Sequence, residues 1–352
     1  MKNIYDLAKS FEYNATYGPF GDFEVLSNDG ANFEFLGQKV NSLFGVPACP
    51  LTAHSRFVSL MGGLGFDILT YKTCRSLEWP SLAAPNWSYV DVAGQLSVED
   101  FTREIKAHEG IVDAQEPTMA NSFGVASLKP DYWLEDFSVA KKKLGAGQIL
   151  ILSVMPTSTE SFNQLDDAEA LAELAMESEA DVVEVNLACP NTLDGHGLIY
   201  ENLELSNEIC HRMSKIMGSK KKLLAKVGYY KDKEVMKSFL QKNDGVLSGI
   251  SSTNTYSMRI IGPNGEPEFF PGRASAGLSG AAIRTLSMEQ AGDLVAMRKE
   301  LGLKDFSIIG IGGVTEPQHV QAYLDLGVDA VQSAVGAFHD PMLARKYKGG
   351  MI

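Results

Sequence analysis

Cysteine is scarce in this chain. Its 352 residues contain four, Cys49, Cys74, Cys189 and Cys210, and no two form a C-x-x-C pair. That spacing excludes a zinc knuckle, a disulfide framework and an iron–sulfur cluster held by this chain, and a reducing cytoplasm is the expected location. Long apolar runs are also missing: none approaches the ~18 consecutive residues of a membrane span. The first residues, MKNIYDLAKSFEYNATYG, carry acids where a secretory signal has an apolar centre. Positive charge is in deficit, with 31 Lys and Arg against 44 Asp and Glu, a net charge of −13. A broad nucleic-acid surface is therefore not expected, because neutralising phosphates needs clustered cations. The basic runs Lys141-Lys142-Lys143 and Lys220-Lys221-Lys222 each precede an expected strand and read as solvated helix ends. No histidine spacing suggests a metal.

What is present is a large apolar fraction, 45%, in a regular alternation. Apolar runs at 46–51, 66–72, 148–153, 181–186, 222–227, 245–251, 307–310 and 330–333 read as strands. Helical periodicity covers 55–64, 130–144, 162–179, 205–217, 232–242, 287–301 and 316–326. Strands that are apolar throughout and separated by helices indicate a parallel sheet covered by helices. Eight of them predict an α/β fold, a (β/α)8 TIM barrel, as one domain over 1–352 with a divergent segment at 1–45. Long insertions follow strand two (73–127) and strand six (252–282); insertions of that length are suspected of carrying function. A doubly wound open sheet is the alternative, but no Gly-x-Gly-x-x-Gly follows the first strand.

In such a barrel the polar residues at strand carboxyl ends face the active site. In order they are Lys72, Ser153, Asn186, Lys226, Asn254 and Thr255, then Gly312 and Gly313, then Ser333 and Ala334. The last two pairs occupy slots where barrels bind phosphate. Lys72 and Lys226 end apolar runs at the expected mouth, where they would meet an anion. The run DVVEVNLACPN at 181–191 sets Cys189 just past a strand, between Asn186 and Asn191. A thiol there can serve as base or nucleophile, and the amides can read a planar polar ring.

Glu184-Val-Asn-Leu-Ala-Cys-Pro-Asn191 resembles the E-[LV]-N-[LV]-[SA]-C-P-N signature of the class 1 dihydroorotate dehydrogenases. Further pieces agree in order: Leu69-Thr-Tyr-Lys72, Asn121-Ser-Phe-Gly124, Leu224-Ala-Lys-Val227, Ser252-Thr-Asn-Thr255, Gly277-Leu-Ser-Gly280, Ile309-Gly-Ile-Gly-Gly313 and Val331-Gln332. The resemblance implies bound FMN, with Gly312, Gly313, Ala334 and Val335 at its phosphate. Lys72, Ser153, Asn186, Lys226 and Gly280 would contact the rest of the cofactor. It implies a substrate site of Lys72, Asn121, Phe123, Gly124, Asn186, Asn191, Asn254 and Thr255, with Cys189 taking the C5 proton of dihydroorotate. It also implies a soluble homodimer reduced by dihydroorotate and reoxidised by fumarate. Departures are present: Lys72-Thr-Cys-Arg75 replaces the usual Lys-Ser-Ser-Thr, and Ala334-Val335 replaces a Gly-Thr pair. Alternatives are an FMN-dependent dihydropyrimidine dehydrogenase, an aldolase-like barrel with Lys226 as Schiff-base lysine, and a flavin-binding protein without catalysis.

Overall fold

The computed structural model describes residues 4–25, 30, 32–188 and 198–350. Eight parallel strands close into a barrel: β1 (Phe44–Val46), β2 (Ile68–Cys74), β3 (Ile149–Val154), β4 (Val182–Asn186), β5 (Lys222–Lys226), β6 (Gly249–Ser252), β7 (Ser307–Ile311) and β8 (Ala330–Gln332). Sequence neighbours are spatial neighbours, and β8 closes the ring on β1 through Val331 opposite Phe44 and Gln332 opposite Gly45. Nearly every strand residue is buried, which is why these runs are apolar throughout. Outside lie α1 (Ser55–Gly63), α2 (Pro130–Lys143), α3 (Gln164–Glu177), α4 (Leu203–Met217), α5 (Lys233–Lys242), α6 (Arg284–Leu301), α7 (Pro317–Asp325) and α8 (Leu343–Gly349). The result is a (β/α)8 TIM barrel.

The first strand departs most from its expected position. It ends at Val46, where 46–51 was the apolar run, because Pro47 and Pro50 have no N–H to give a ladder. Pro50–Thr52 forms a single 3-10 turn instead. The sixth strand likewise starts late, at Gly249, after a turn following α5.

Both ends of the barrel carry additional structure. At the amino end, a hairpin of Phe33–Phe35 and Gln38–Val40 turns through Leu36 and Gly37, both at positive φ (50° and 74°). Its Phe35, Leu36 and Val40 pack on Ile68, Ile149, Val182 and Ala330, the first residues of four barrel strands. Part of the divergent segment 1–45 is therefore the barrel's floor.

At the carboxyl end the two insertions form one unit, which their sequence does not announce. Trp87–Asp91, Glu104–Ala107 and Thr118–Asn121 come from the first, and Tyr256–Ile261 and Ser275–Gly280 from the second. They hydrogen-bond into a closed five-stranded ring with its own core, including Ile105, Met258, Ile260, Phe270 and Leu278.

Floor and cleft are at opposite ends of the barrel. Phe35→Ala should therefore cost about 3–5 kcal/mol of stability, measured as a lower urea midpoint, while ligand affinity at the carboxyl end stays the same.

Candidate active site

A cleft opens at the carboxyl ends of the strands, between barrel and ring. Of the residues expected there, Lys72, Asn121, Phe123, Gly124, Asn186, Lys226, Asn254, Thr255, Gly280, Gly312, Gly313, Ala334 and Val335 all line it. Cys189 and Asn191 lie outside the described residues. Ser153 is not among the lining residues; it is fully buried, its Oγ 3.1 Å from Thr73 Oγ1.

Thr73 reaches the cleft through a local irregularity. Tyr71 pairs with Leu152 and Cys74 with Val154, so three steps along β2 match two along β3. The extra residue is a bulge, and bulges re-aim side chains. Lys72 and Thr73, adjacent in sequence, consequently both face the cleft. Thr73 Oγ1 accepts from Asn186 Nδ2 at 3.3 Å, and Asn186 Oδ1 accepts from the Ala188 N–H at 3.1 Å. Asn254 Nδ2 donates to the Ala188 carbonyl, and Asn121 Nδ2 donates to the Gly277 carbonyl at 3.2 Å. The amides are thus oriented by the protein before any ligand arrives.

The cleft is electropositive although the chain is acidic. Lys226 is 3% exposed and Lys72 is 9% exposed, and no Asp or Glu is among the described lining residues. Low-dielectric walls around two ammonium groups concentrate the field on an anion. One layer further into the barrel, the inward residues of the even strands are Thr70, Glu184, Ser251 and Gln332. All four are buried, and Gln332 Nε2 donates to Thr70 Oγ1 at 3.0 Å. Barrel interiors are usually Val, Ile and Leu, so the polar character of the cleft continues inward.

The Gly312-Gly313 turn has the geometry of an anion cradle. Both residues have positive φ, 129° and 69°. A Cβ at Gly312 would stand 2.2 Å from Ser287 Oγ, and one at Gly313 2.5 Å from the Arg284 Cα. From the outer helices, Tyr323 OH donates to the Gly312 carbonyl at 2.8 Å, and Arg284 Nη1 donates to the Gly313 carbonyl at 3.3 Å. A peptide plane carries C=O and N–H on opposite edges. With these carbonyls held by the outer helices, the N–H groups of Gly313 and Val314 lie on the opposite edges of the same peptides, an arrangement suited to an anion.

The family model for dihydroorotate dehydrogenase matches residues 103–351. The chain belongs to the dihydroorotate dehydrogenase family. Over 359 aligned residues it is 34% identical to dihydroorotate dehydrogenase of Dictyostelium discoideum, covering 98% of this chain and 96% of that one. It is 24% identical to the catalytic subunit of dihydroorotate dehydrogenase B (NAD(+)) of Brachyspira hyodysenteriae, covering 73% and 80%. It is 26% identical to the NAD-dependent dihydropyrimidine dehydrogenase subunit PreA of Escherichia coli, covering 63% of this chain and 50% of that one. Members of the dihydroorotate dehydrogenase family are oxidoreductases, and this barrel mouth is where a TIM-barrel enzyme works. No helix among the described residues is long and apolar enough to cross a membrane.

Among the lining residues that sequence reasoning missed are Trp87 and Cys49. Trp87, from the ring, packs against Phe338 with ring centroids 4.5 Å apart and the planes tilted by 42°. Cys49 follows a strand-ending proline, and its N–H donates to Thr52 Oγ1 at 3.2 Å. Burial pushes its thiol up from the ordinary 9.0 to about 11, against the opposing pull of nearby groups that include Lys226 and Lys72. A raised folded-state value keeps the proton on, so Cys49 is a thiol at neutral pH and costs the fold stability only as pH climbs from 9 towards 11. Iodoacetamide labelling of Cys49, read by peptide mass spectrometry, should be slow at pH 7 and accelerate above pH 9; rapid labelling at pH 7 would contradict this environment.

Proposed function

We propose that this enzyme oxidises dihydroorotate to orotate with FMN, as a step of pyrimidine biosynthesis. The observation that carries the reading is the cleft's chemistry: two buried lysines, three oriented amides and no carboxylate among the described lining residues. Dihydroorotate is a small anion whose ring edge offers amide donors and acceptors, which is what this lining complements. The Gly312-Gly313 turn and the neighbouring Ala334 and Val335 fit a phosphate, the group that distinguishes FMN from a bare flavin.

Held in this cleft, FMN would supply a hydride acceptor for the C6 hydrogen of the substrate. Lys226, buried in the cleft, would supply a positive charge to offset the negative charge that a reduced flavin acquires. Lys72, on the bulge, sits where it can serve cofactor and substrate carboxylate together. Asn121, Asn186 and Asn254, with Asn191, hold the ring in plane and exclude water from its edges. Phe123 and Gly124 cover the ring, and Thr255 adds a hydroxyl. Cys189 is assigned as the base for the C5 proton: a carbon acid needs a base held against it, and a thiol titrates nearer neutrality than a hydroxyl. Cys49, held as a thiol by burial, is a poor competitor for that role. Fumarate is the proposed acceptor, in a cytoplasmic homodimer.

Anaerobic stopped-flow mixing with dihydroorotate tests the reading through the flavin absorbance. Rapid bleaching supports it, and reoxidation by fumarate against NAD+ then identifies the acceptor. A yellow protein bleached by dihydrouracil but not by dihydroorotate would replace dihydroorotate with an uncarboxylated dihydropyrimidine. Cys189→Ala should keep its FMN and lose roughly 10²–10⁴-fold in the bleaching rate; a near-normal rate would remove Cys189 from the mechanism.

A further inference from the structure

Arg75 stands directly after the bulged end of β2 and is 2% exposed. Its guanidinium grips the loop that carries Phe123 and Gly124. Nε donates to the Val125 carbonyl at 3.0 Å and Nη2 to the Gly124 carbonyl at 3.1 Å, while Nη1 donates to Thr157 Oγ1 at 2.7 Å. The guanidinium lies over the Trp79 ring, 4.4 Å from its centroid, and Trp79 exchanges two backbone hydrogen bonds with Ser127. The Arg75 N–H itself donates to Ser127 Oγ at 2.9 Å. Arg75 is thus tied to this loop directly at Gly124, Val125 and Ser127, and indirectly through Trp79.

The loop needs holding. Gly124 and Val125 both have positive φ, 72° and 53°, and a β-branched residue in that region persists only where its surroundings impose it. Gly124 and Val125 line the cleft and Arg75 does not, so the loop is sandwiched between them. With the carbonyls of Gly124 and Val125 pinned to Arg75, the N–H groups of Val125 and Ala126, on the opposite edges of the same peptides, face away from it, on the cleft side. Asp167, whose carboxylate accepts from the Thr157 N–H at 2.6 Å, has its pKa raised by burial and only weakly feels that guanidinium. Arg75 does not line the cleft itself, so its route to a ligand there runs through the oriented peptides.

We propose that Arg75 is a positioning residue for an anion subsite, turning the 124–126 peptides so that their donors meet the substrate carboxylate and so favouring carboxylated over uncarboxylated pyrimidines. This rests on the dihydroorotate reading above. Lysine cannot replace the arginine, because three diverging donors in one plane are needed.

The test titrates orotate, and uracil as the neutral probe, into the FMN-bound protein and its Arg75→Lys, Arg75→Met and Thr157→Val variants, followed by flavin absorbance. Hydrogen exchange over 122–128 is measured in parallel. Arg75→Lys and Arg75→Met should weaken orotate roughly 10- to 100-fold, leave uracil and FMN content nearly unchanged, and speed exchange in that loop alone. Thr157→Val, which keeps the arginine but removes one of its anchors, should shift orotate in the same direction by less, and it decides the matter if neither arginine variant folds. Equal weakening of both pyrimidines, or unchanged orotate affinity, overturns the proposal. A wild-type protein that binds neither pyrimidine sinks the dihydroorotate reading instead; loop exchange then decides Arg75, and an unchanged loop overturns its role.

Discussion

Closure of eight parallel strands is the constraint on which the rest of the molecule depends. With helices outside and a packed interior inside, a polar side chain on a strand has few tolerable positions, and the carboxyl end is the roomiest. Lys72, Asn186 and Lys226 sit there on three neighbouring or near-neighbouring strands. The register pairs Lys226 directly with Asn186. Because side chains alternate with period two, the same register sends Thr70 and Glu184 inward beneath them. The bulge in β2 breaks that parity once, and it is what brings Thr73 into the cleft beside Lys72.

A second device recurs around the cleft. On one side Tyr323 and Arg284 hold the carbonyls of Gly312 and Gly313 from behind; on the other Arg75 holds those of Gly124 and Val125. In each case a side chain remote from the ligand takes the acceptor edge of a peptide and leaves the donor edge facing inward. Together with two buried lysines, this gives a chain of net charge −13 a pocket suited to anions. The excess acid is carried elsewhere, where water screens it.

The barrel was largely legible because its signals are local. Each strand is an apolar run, each helix a 3.6-residue pattern, and the polar residue ending each run marks the mouth. The motifs around Lys72, Asn121, Asn186, Lys226, Asn254 and Gly312-Gly313 could be placed for the same reason. The ring over the mouth was not legible. Its strands are four to six residues long, they come from segments separated by more than a hundred residues, and Tyr256–Ile261 pairs in parallel with Glu104–Ala107. Nothing in either segment encodes the other. Ser153 meets Thr73, which the bulge brings to the cleft, and Cys49 was missed because two prolines moved the end of β1.

The sequence by itself determined the fold class, the family and most of the residues that could meet a ligand, since these follow from periodicity and from motifs a few residues long. The tertiary structure alone decided which of them share a cleft, which stand one layer behind it, and which edge of each peptide faces inward. Those outcomes depend on strand register, a one-residue bulge and side chains reaching across from distant elements such as Arg75, Tyr323 and Arg284. They are relations between parts of the chain that come together only when the barrel closes.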